Sequence, residues 1–514
     1  MKKIFTLLCL VIAITAQAQP GNIDSSFGNN GKVVSRFSNQ FGLKKIALQN
    51  DGKIVGAGSI TASSKLLNAI ICYNANGSVD KSFGDDGKVV LAVGDSTGNV
   101  TGLTLQQDGK ILVTGDAHLG GVRNQLFILR YTKNGIIDSS FGTNGLAYLK
   151  DPDGNFGGQA IHVQTDGKIV INGFFADRVA NIDYIVVARF LSNGKKDTSF
   201  NSTGKNYMSF GLYSYPGNFV IQNDGKITGT GNGSIKHSTV LQSLALYRLN
   251  KNGRLDNSFG KGGKVIATTT NNSQGFDLKV SSDGKIVAAG ITFVQNELDA
   301  DQLIMRFKTN GDIDSSFGNN GTLINDFVSI DKISAISIQT NGKIVVAGTG
   351  PGSSFASLTR YFGNGKPDNS FGTNGAVSIT FNNYPNNYID DMLIQPDGKI
   401  LTANSTGNVN NSYGALARYI GDATMSFVNH QRISSSLLSS IKVYANPVKY
   451  VLYIEHLPST KTVLSITNNY GNIFKTTIST SSNFQWKVDD LKPGEYYVSI
   501  QNSDEKKSIL FMKQ

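Results

Sequence analysis

Asp80-Lys81-Ser82-Phe83-Gly84-Asp85-Asp86-Gly87-Lys88-Val89 decides the fold, because versions of it return along most of the chain. Its phenylalanine recurs as Phe27, Phe83, Phe141, Phe200, Phe259, Phe317 and Phe371, at steps of 56, 58, 59, 59, 58 and 54 residues. Three residues before each stands an aspartate: Asp24, Asp80, Asp138, Asp197, Asp256, Asp314 and Asp368. A unit repeated at a near-constant period buries its apolar face against its neighbours, so the period dictates the architecture.

Working outward, a second marker alternates with the first: Asp51-Gly52-Lys53, Asp108-Gly109-Lys110, Asp166-Gly167-Lys168, Asp224-Gly225-Lys226, Asp283-Gly284-Lys285, Asn341-Gly342-Lys343 and Asp397-Gly398-Lys399. Asp-Gly between apolar runs signals a hairpin and predicts positive φ at both turn residues. A third marker closes an apolar run with Arg and an aromatic or Leu: Arg130-Tyr131, Arg189-Phe190, Arg248-Leu249, Arg306-Phe307, Arg360-Tyr361 and Arg418-Tyr419. The first copy carries Cys72-Tyr73 instead. Each unit therefore offers four strands, and their continuous apolar runs predict burial on both faces. Abundant glycine (57) and scarce proline (10) suit many short strands and tight turns.

The expected fold is all-β: a seven-bladed β-propeller of four-stranded repeats, about 58 residues each. A solenoid is the rival at this period. The ring is favoured because the chain enters with the Asp24–Phe27 turn and an apolar strand, Gly31 to Phe37. It leaves the last unit at Arg418-Tyr419 with no such turn following, so the first strand is placed to complete the last blade.

Residues Gln107 to Gly115 and Arg130 to Gly142 carry these markers most fully, and over about residues 20 to 420 the sequence resembles the delta-60 repeat family. That resemblance implies a propeller-like fold and no defined activity. Asn201 stands where the pattern has Gly, and Cys72 where it has Arg.

From Ile441 a different β-rich unit begins, after a serine-containing linker. Short alternating strands with glycine turns predict a small β-sandwich. Asn446-Pro447, the central Gly471, Leu491-Lys492-Pro493-Gly494-Glu495-Tyr496 and a basic last strand resemble the type A C-terminal sorting domain of type IX secretion in Bacteroidota. Ala445 departs from that family's usual Pro. The resemblance implies export across the outer membrane, with the type IX machinery as partner, and then removal of the unit or surface attachment.

At the other end Lys2 and Lys3, an apolar run and Ala16-Gln17-Ala18 read as a cleaved signal peptide. The predicted organisation is a signal peptide at 1–18, the propeller at 19–422, a linker at 423–440 and the sorting domain at 441–514. The expected destination is the medium or outer cell surface, with no transmembrane segment in the mature chain. Cys72 would be the mature chain's only cysteine, so the fold must stand without an internal disulfide.

Function classes follow from what the repeat spends its residues on. The net charge of +11 is spread through the repeats, with no basic run interleaved with aromatics, which argues against nucleic acid. The Lys of the second marker is expected as a solvated rim charge. No catalytic signature occurs, and His118, His162 and His237 fall in separate repeats, so the chain reads as non-enzymatic. No cofactor is expected; Asp151-Pro152-Asp153-Gly154-Asn155 only resembles the start of a calcium loop, and Asp299 with Asp301 could share a cation.

The two repeated turns are alternate connections and share one rim, so the variable connections share the other. Function favours variable loops on a rigid scaffold. That rim carries Phe156, Phe174, Phe175, Tyr213, Tyr215, Phe293, Tyr384, Asn386 and Tyr388 as candidate binding residues. Aromatic faces beside amides suit a glycan or a protein segment. The alternatives are a glycan lyase or hydrolase on the same scaffold, or a structural spacer.

Overall fold

The turns of the repeat are built by one carboxylate and one glycine each. In Gln49–Lys53 the Gly52 N–H donates to the Gln49 carbonyl (2.9 Å) and the Gln49 N–H to the Lys53 carbonyl (2.8 Å). The Asp51 carboxylate accepts the Lys53 N–H at 3.1 Å. Only Gly52 has positive φ (84°). The hairpin thus uses a three-residue loop with one left-handed glycine, and not two left-handed residues as the dipeptide suggested. In the other turn Asp80 Oδ1 accepts from the Ser82 N–H (3.1 Å) and hydroxyl (2.7 Å), which sets the direction of Phe83.

A computed structural model describes residues 19–514, apart from 38–39, 63–64, 95–97, 119–123, 152–153, 235–241, 268–270, 295–298, 327–331, 350–355, 382–383, 409–410, 423–440, 445–447, 458–461, 469–472 and 502–505. The predicted leader, the linker, His237, Asn446-Pro447 and Gly471 lie outside the described residues. The chain divides into two compact units.

Among the described residues the first unit holds seven four-stranded antiparallel sheets. Their first strands are Phe41–Leu48, Gly98–Leu105, Gly154–Val163, Ser214–Ile221, Ser273–Val280, Ile333–Ile338 and Asn386–Ile394; the sheets are called blades 1 to 7 in that order. Each first strand packs against the next, and that of blade 7 against that of blade 1, so the ring closes. Six blades run in chain order. Blade 7 takes its fourth strand from the start of the chain: Lys32–Ser35 pairs with Asn411–Tyr419, in register Lys32↔Ala417 to Ser35↔Gly414.

The repeated residues join neighbouring blades. Each repeat Phe is 0–1% exposed. The residue after it, Gly84 for example, donates its N–H to the Asn134 carbonyl of the following blade (2.9 Å). Equivalent bonds run at all seven seams, the last from Gly372 to the Pro20 carbonyl. Asn201 holds the place of that glycine in blade 3 by adopting φ 49°, a left-handed geometry that Asn tolerates.

The third-marker arginines bind the same set. Arg189 Nε donates to Asp197 Oδ2 (2.7 Å), its Nη1 to the Lys251 carbonyl of the next blade (2.6 Å), and its Nη2 to Ser199 Oγ (3.3 Å). Its guanidinium lies 4.7 Å from the Phe200 ring centroid. The other five arginines lie over their own Phe at 4.5–5.0 Å. The second-marker Lys is not the solvated charge expected of it. In six blades it joins the set, from Lys53–Asp80 at 2.8 Å to Lys110–Asp138 at 3.4 Å, because turns on one rim bring it over the same carboxylate. Lys168 instead pairs with Asp166 of its own turn, a within-turn contact that Lys110, Lys226, Lys285 and Lys399 make in addition.

Arg360 and Asp368 are the most enclosed pair, at 0% and 1% side-chain exposure and 2.8 Å apart. Arg360→Met should cost about 3–5 kcal/mol, because it leaves a buried carboxylate short of its main partner. Urea unfolding measures this; a loss below about 1 kcal/mol would mean that Lys343, 3.0 Å from Asp368, suffices alone.

The second unit has a three-stranded sheet (Lys442–Tyr444, Val451–Glu455, Asn483–Lys487) and a four-stranded one (Thr462–Asn468, Ile473–Ser479, Gly494–Gln501, Lys506–Lys513). Leu452, Ile454 and Trp486 of the first share one core with Leu464, Ile466, Val498 and Phe511 of the second.

Candidate functional site

All seven first strands carry a β-bulge at the same level, between Leu43/Lys45, Val100/Gly102, Gly158/Ala160, Pro216/Phe219, Gly275/Asp277, Ile333/Ala335 and Ile389/Asp391. A bulge re-aims side chains and frees backbone groups. Here polar side chains from neighbouring blades answer those groups. Asp391 Oδ2 accepts the Ile46 N–H across the seam of blades 7 and 1 (3.0 Å). Asp277 Oδ2 does the same for Ile336 across blades 5 and 6 (2.9 Å).

Asp277 Oδ1 also accepts Asn218 Nδ2 (2.8 Å), and Asn218 Oδ1 faces His162 Nε2 at 3.3 Å. Lys279 Nζ reaches Asp277 at 3.1 Å, Lys44 pairs with Asp390 at 2.6 Å, and Lys45 lies 3.8 Å from Asp391. A polar network therefore crosses the inner wall of the ring. A cavity of about 170 Å³ opens among Lys45, Gln159, Asn218, Asp277, Lys332 and Asp390. A larger depression, about 800 Å³, lies elsewhere, beside Val34 and Phe381. Its one charged lining group, Lys32, already donates to the Thr380 carbonyl, so it gathers no comparable chemistry.

Enclosure shifts the protonation of this network. Burial pushes His162 down to about 4, helped by Lys279 and Lys45 and opposed by the Asn218 bond and Asp277. Burial raises Asp391, with Asp277 adding to the effect and Lys45 opposing it. Burial works against the charge on Lys45, but Asp391, Asp277 and Asp390 outweigh it and raise that group. Lys45 keeps 27% of its side chain open to solvent. His162 is thus uncharged at neutral pH.

Two residues before each bulged position, alternation along the strand returns to the inner face. On the variable rim that level carries Asn99, Tyr215, Gln274, Lys332 and Tyr388, with Gly42 and Gly157. Tyr215 is 38% and Tyr388 42% exposed, and they stand three blades apart in the ring of seven. The Tyr215 hydroxyl donates to Asp183 Oδ2 (2.8 Å). Gln274 Nε2 donates to Gln242 Oε1 (2.7 Å), and Lys332 lies 5.3 Å from the Phe276 ring. Phe174 lies over Gly157, where a Cβ would come within 1.9 Å of the ring, and sits 6.0 Å from Tyr215.

The other candidate residues divide. Phe156 and Phe175 are 1% and 5% exposed, with centroids 4.8 Å apart in the core between blades 2 and 3, so they pack blades and face no ligand. Their loop placement was wrong because both lie inside strands, Gly154–Val163 and Ile169–Asp177. Tyr213, Phe293 and Asn386 are half-buried. The Tyr384 hydroxyl accepts Arg36 Nη2 (3.0 Å), and its ring packs on Tyr413 at 5.2 Å. The Asp151 carboxylate pairs with Lys205 (3.3 Å), and Pro152 and Asp153 of the calcium-like stretch lie outside the described residues. Among the described residues no three acidic, His or Cys groups gather as a metal would need. Asp301 is buried.

Sequence reading missed the axial group, though a signal existed. Lys45, Asn218, Asp277 and Asp391 each stand six residues before the first residue of the second marker, and His162 and Lys279 four before it.

Six segments, 49–83, 106–141, 164–200, 222–259, 281–317 and 339–371, match the family described as "Domain of unknown function (DUF5122) beta-propeller". Residues 442–513 match the "Secretion system C-terminal sorting domain". No curated protein matches the chain. Among solved structures it is similar to a protein of unknown function from Dyadobacter fermentans (10% identity, 76% of this chain and 98% of that one, TM-score 0.41). It is also similar to the polysaccharide lyase Uly1 (11%, 80% and 94%, 0.45) and to the β-propeller domain of the trilobed protease from Pyrococcus furiosus (10%, 75% and 95%, 0.40). The sorting domain indicates secretion to the outer cell surface or extracellular space.

Proposed function

We propose that this chain, a DUF5122 β-propeller with a type IX C-terminal sorting domain, is a non-catalytic binding protein of the cell surface or medium. It captures a glycan or protein ligand at the channel mouth on its variable rim. One observation carries the reading: Tyr215 and Tyr388 stay exposed across the mouth while every repeat Phe is buried. Exposed aromatic faces with Asn99 and Gln274 between them supply flat apolar contact and amide hydrogen bonds, the combination that sugar rings use. Lys44 pairs with Asp390, and Tyr215 with Asp183, so the mouth is not a one-sign field, which favours a neutral glycan.

Catalysis is disfavoured by the protonation states. Burial, Asp183 and Tyr213 push the Tyr215 hydroxyl up to about 12, and His162 is held near 4, so neither is poised as an acid or base near neutral pH.

Glycan-array capture by the mature chain tests this. Tyr215→Ala with Tyr388→Ala should weaken binding at least tenfold, about 1.4 kcal/mol, without moving the unfolding midpoint. An unchanged affinity for a captured glycan sinks the site. Capture of peptides alone moves the reading to protein ligands, and turnover of a captured glycan would make the chain an enzyme.

A further inference from the structure

Blade 1 lacks one residue that six blades share. Cys72 stands where Arg130, Arg189, Arg248, Arg306, Arg360 and Arg418 stand. Everything else that receives the guanidinium remains. Asp80 and Ser82 hold the places of Asp197 and Ser199, bonded to each other as in the other copies. Phe83 holds the place of Phe200.

The carbonyl acceptor is also identifiable. Arg130, Arg189 and Arg418 donate to the carbonyls of Ser192, Lys251 and Ala75. Each of these directly precedes the Asn whose carbonyl makes the seam bond: Asn193, Asn252 and Asn76. At the seam of blades 1 and 2 that Asn is Asn134, so the counterpart is Lys133.

The place is open. A pocket of about 630 Å³ is lined by Lys53, Asp80, Ser82, Phe83, Lys133 and Gln106, among others. Its counterpart between blades 4 and 5 is about 420 Å³ and has Arg248 in its wall. Cys72 is 1% exposed, too short to reach these acceptors, and its thiol contributes no charge because burial foremost pushes it up to about 12.

We propose that this pocket binds an alkylguanidinium group from outside the ring, such as an arginine side chain. It completes the Asp–Ser–Phe–carbonyl set that six blades fill from their own sequence. The guest's planar fork meets Asp80, Ser82 Oγ and the Lys133 carbonyl beside Phe83, a geometry that ammonium cannot match. Lys53 sits 2.8 Å from Asp80 and does not exclude the guest, since Lys226 and Arg248 share Asp256 at 3.1 and 2.7 Å. The site is on the opposite rim from the proposed ligand mouth and does not rest on it.

Calorimetric titration of the mature chain with methylguanidinium, methylammonium and a short arginine-containing peptide, at constant ionic strength, tests the proposal. Saturable methylguanidinium binding, at least tenfold tighter than methylammonium, is expected. It should vanish in Cys72→Arg, which supplies the group internally, and weaken at least tenfold in Asp80→Asn, which keeps the turn acceptor but removes the charge. If Cys72→Arg does not fold, Asp80→Asn carries the test. A peptide that binds tighter than methylguanidinium supports a protein partner as the source; equal affinity supports a small guanidino compound. No saturable binding, equal binding of methylammonium, or binding unchanged in both variants overturns the site.

Discussion

A chain lacking residues 19–37 should not fold as a slightly weaker ring; it should lose the cooperative ring altogether. Those residues supply Lys32–Ser35, the outer strand of blade 7, and with it Asp24 and Phe27. Asp24 Oδ2 accepts Arg418 Nε at 2.7 Å, and Phe27 is 0% exposed beneath the same guanidinium. Removing the carboxylate strands a buried arginine, at about 3–5 kcal/mol. Removing the Phe27 ring costs about another 3–5 kcal/mol. The seam bond from Gly28 to the Asn76 carbonyl and the Gly372 bond to Pro20 go as well. The total rivals the whole stability of an ordinary domain, about 5–15 kcal/mol. The deletion also bares the backbone of Asn411–Tyr419 as an edge open to foreign strands. Size-exclusion chromatography and urea unfolding should therefore show aggregation or a broad, shallow transition. A monomer with the parent's midpoint and slope would mean that the ring closes without this strand.

The same deletion shows why the ring was legible in the sequence. Asp24 to Phe27 and Arg418-Tyr419 are halves of one repeat separated by nearly the whole chain, and only a closed circle lets Arg418 meet Asp24 as Arg189 meets Asp197. Glycine and aspartate at a fixed spacing encode local geometry, which sequence states directly. The axial network is different. Lys45, Asn218, Asp277 and Asp391 share one register position that holds Gly102, Ala160 and Ala335 in the other blades, so the pattern appears in only four of seven copies and does not read as a motif. Their meeting is produced by seven bulges and ring closure, both long-range properties. Phe156 and Phe175 misled for a related reason: strand ends in blade 3 extend to Gly154 and Asp177, so residues that look like loop become core. Tyr215 and Tyr388 lie near the starts of first strands, the ends that follow a variable connection, and this alternation of connections is topological and needs no contact information.

Acid should unfold the ring in two stages, and the sign of each follows from its groups. Burial, with the help of Lys279 and Lys45, holds His162 down to about 4, below the roughly 6.5 of an unfolded histidine. The unfolded chain then binds more protons over that interval. Stability is full above about pH 6.5 and declines as the pH falls towards 4. Asp391 opposes part of this loss, because burial raises it and its protonation removes an enclosed charge. The second stage belongs to the seams. Burial works against Asp24 and Asp368, but Ser26, Lys399 and Arg418 hold the first at about 2, and Ser370, Lys343 and Arg360 the second. The Ser140 hydroxyl foremost brings Asp138 to about 2 as well, and Asp80, Asp197, Asp256 and Asp314 are also lowered. These are folded values below the unfolded carboxylate, near 3.9, so their stabilisation is present above about pH 4 and is lost as the pH falls towards 2. All seven repeat carboxylates are lowered, and six of them hold the arginine that reaches across a seam, so this stage should be steep once the pH falls below about 4. Thermal midpoints from pH 7 to 2 should fall gently and then collapse. His162→Gln, which keeps a partner for Asn218 without titrating, should flatten the limb between about pH 6.5 and 4 and leave the collapse in place. A gentle limb that persists in His162→Gln would assign it to groups outside the channel, and a ring that stays folded at pH 2 would show that the seams hold by packing of the phenylalanines alone.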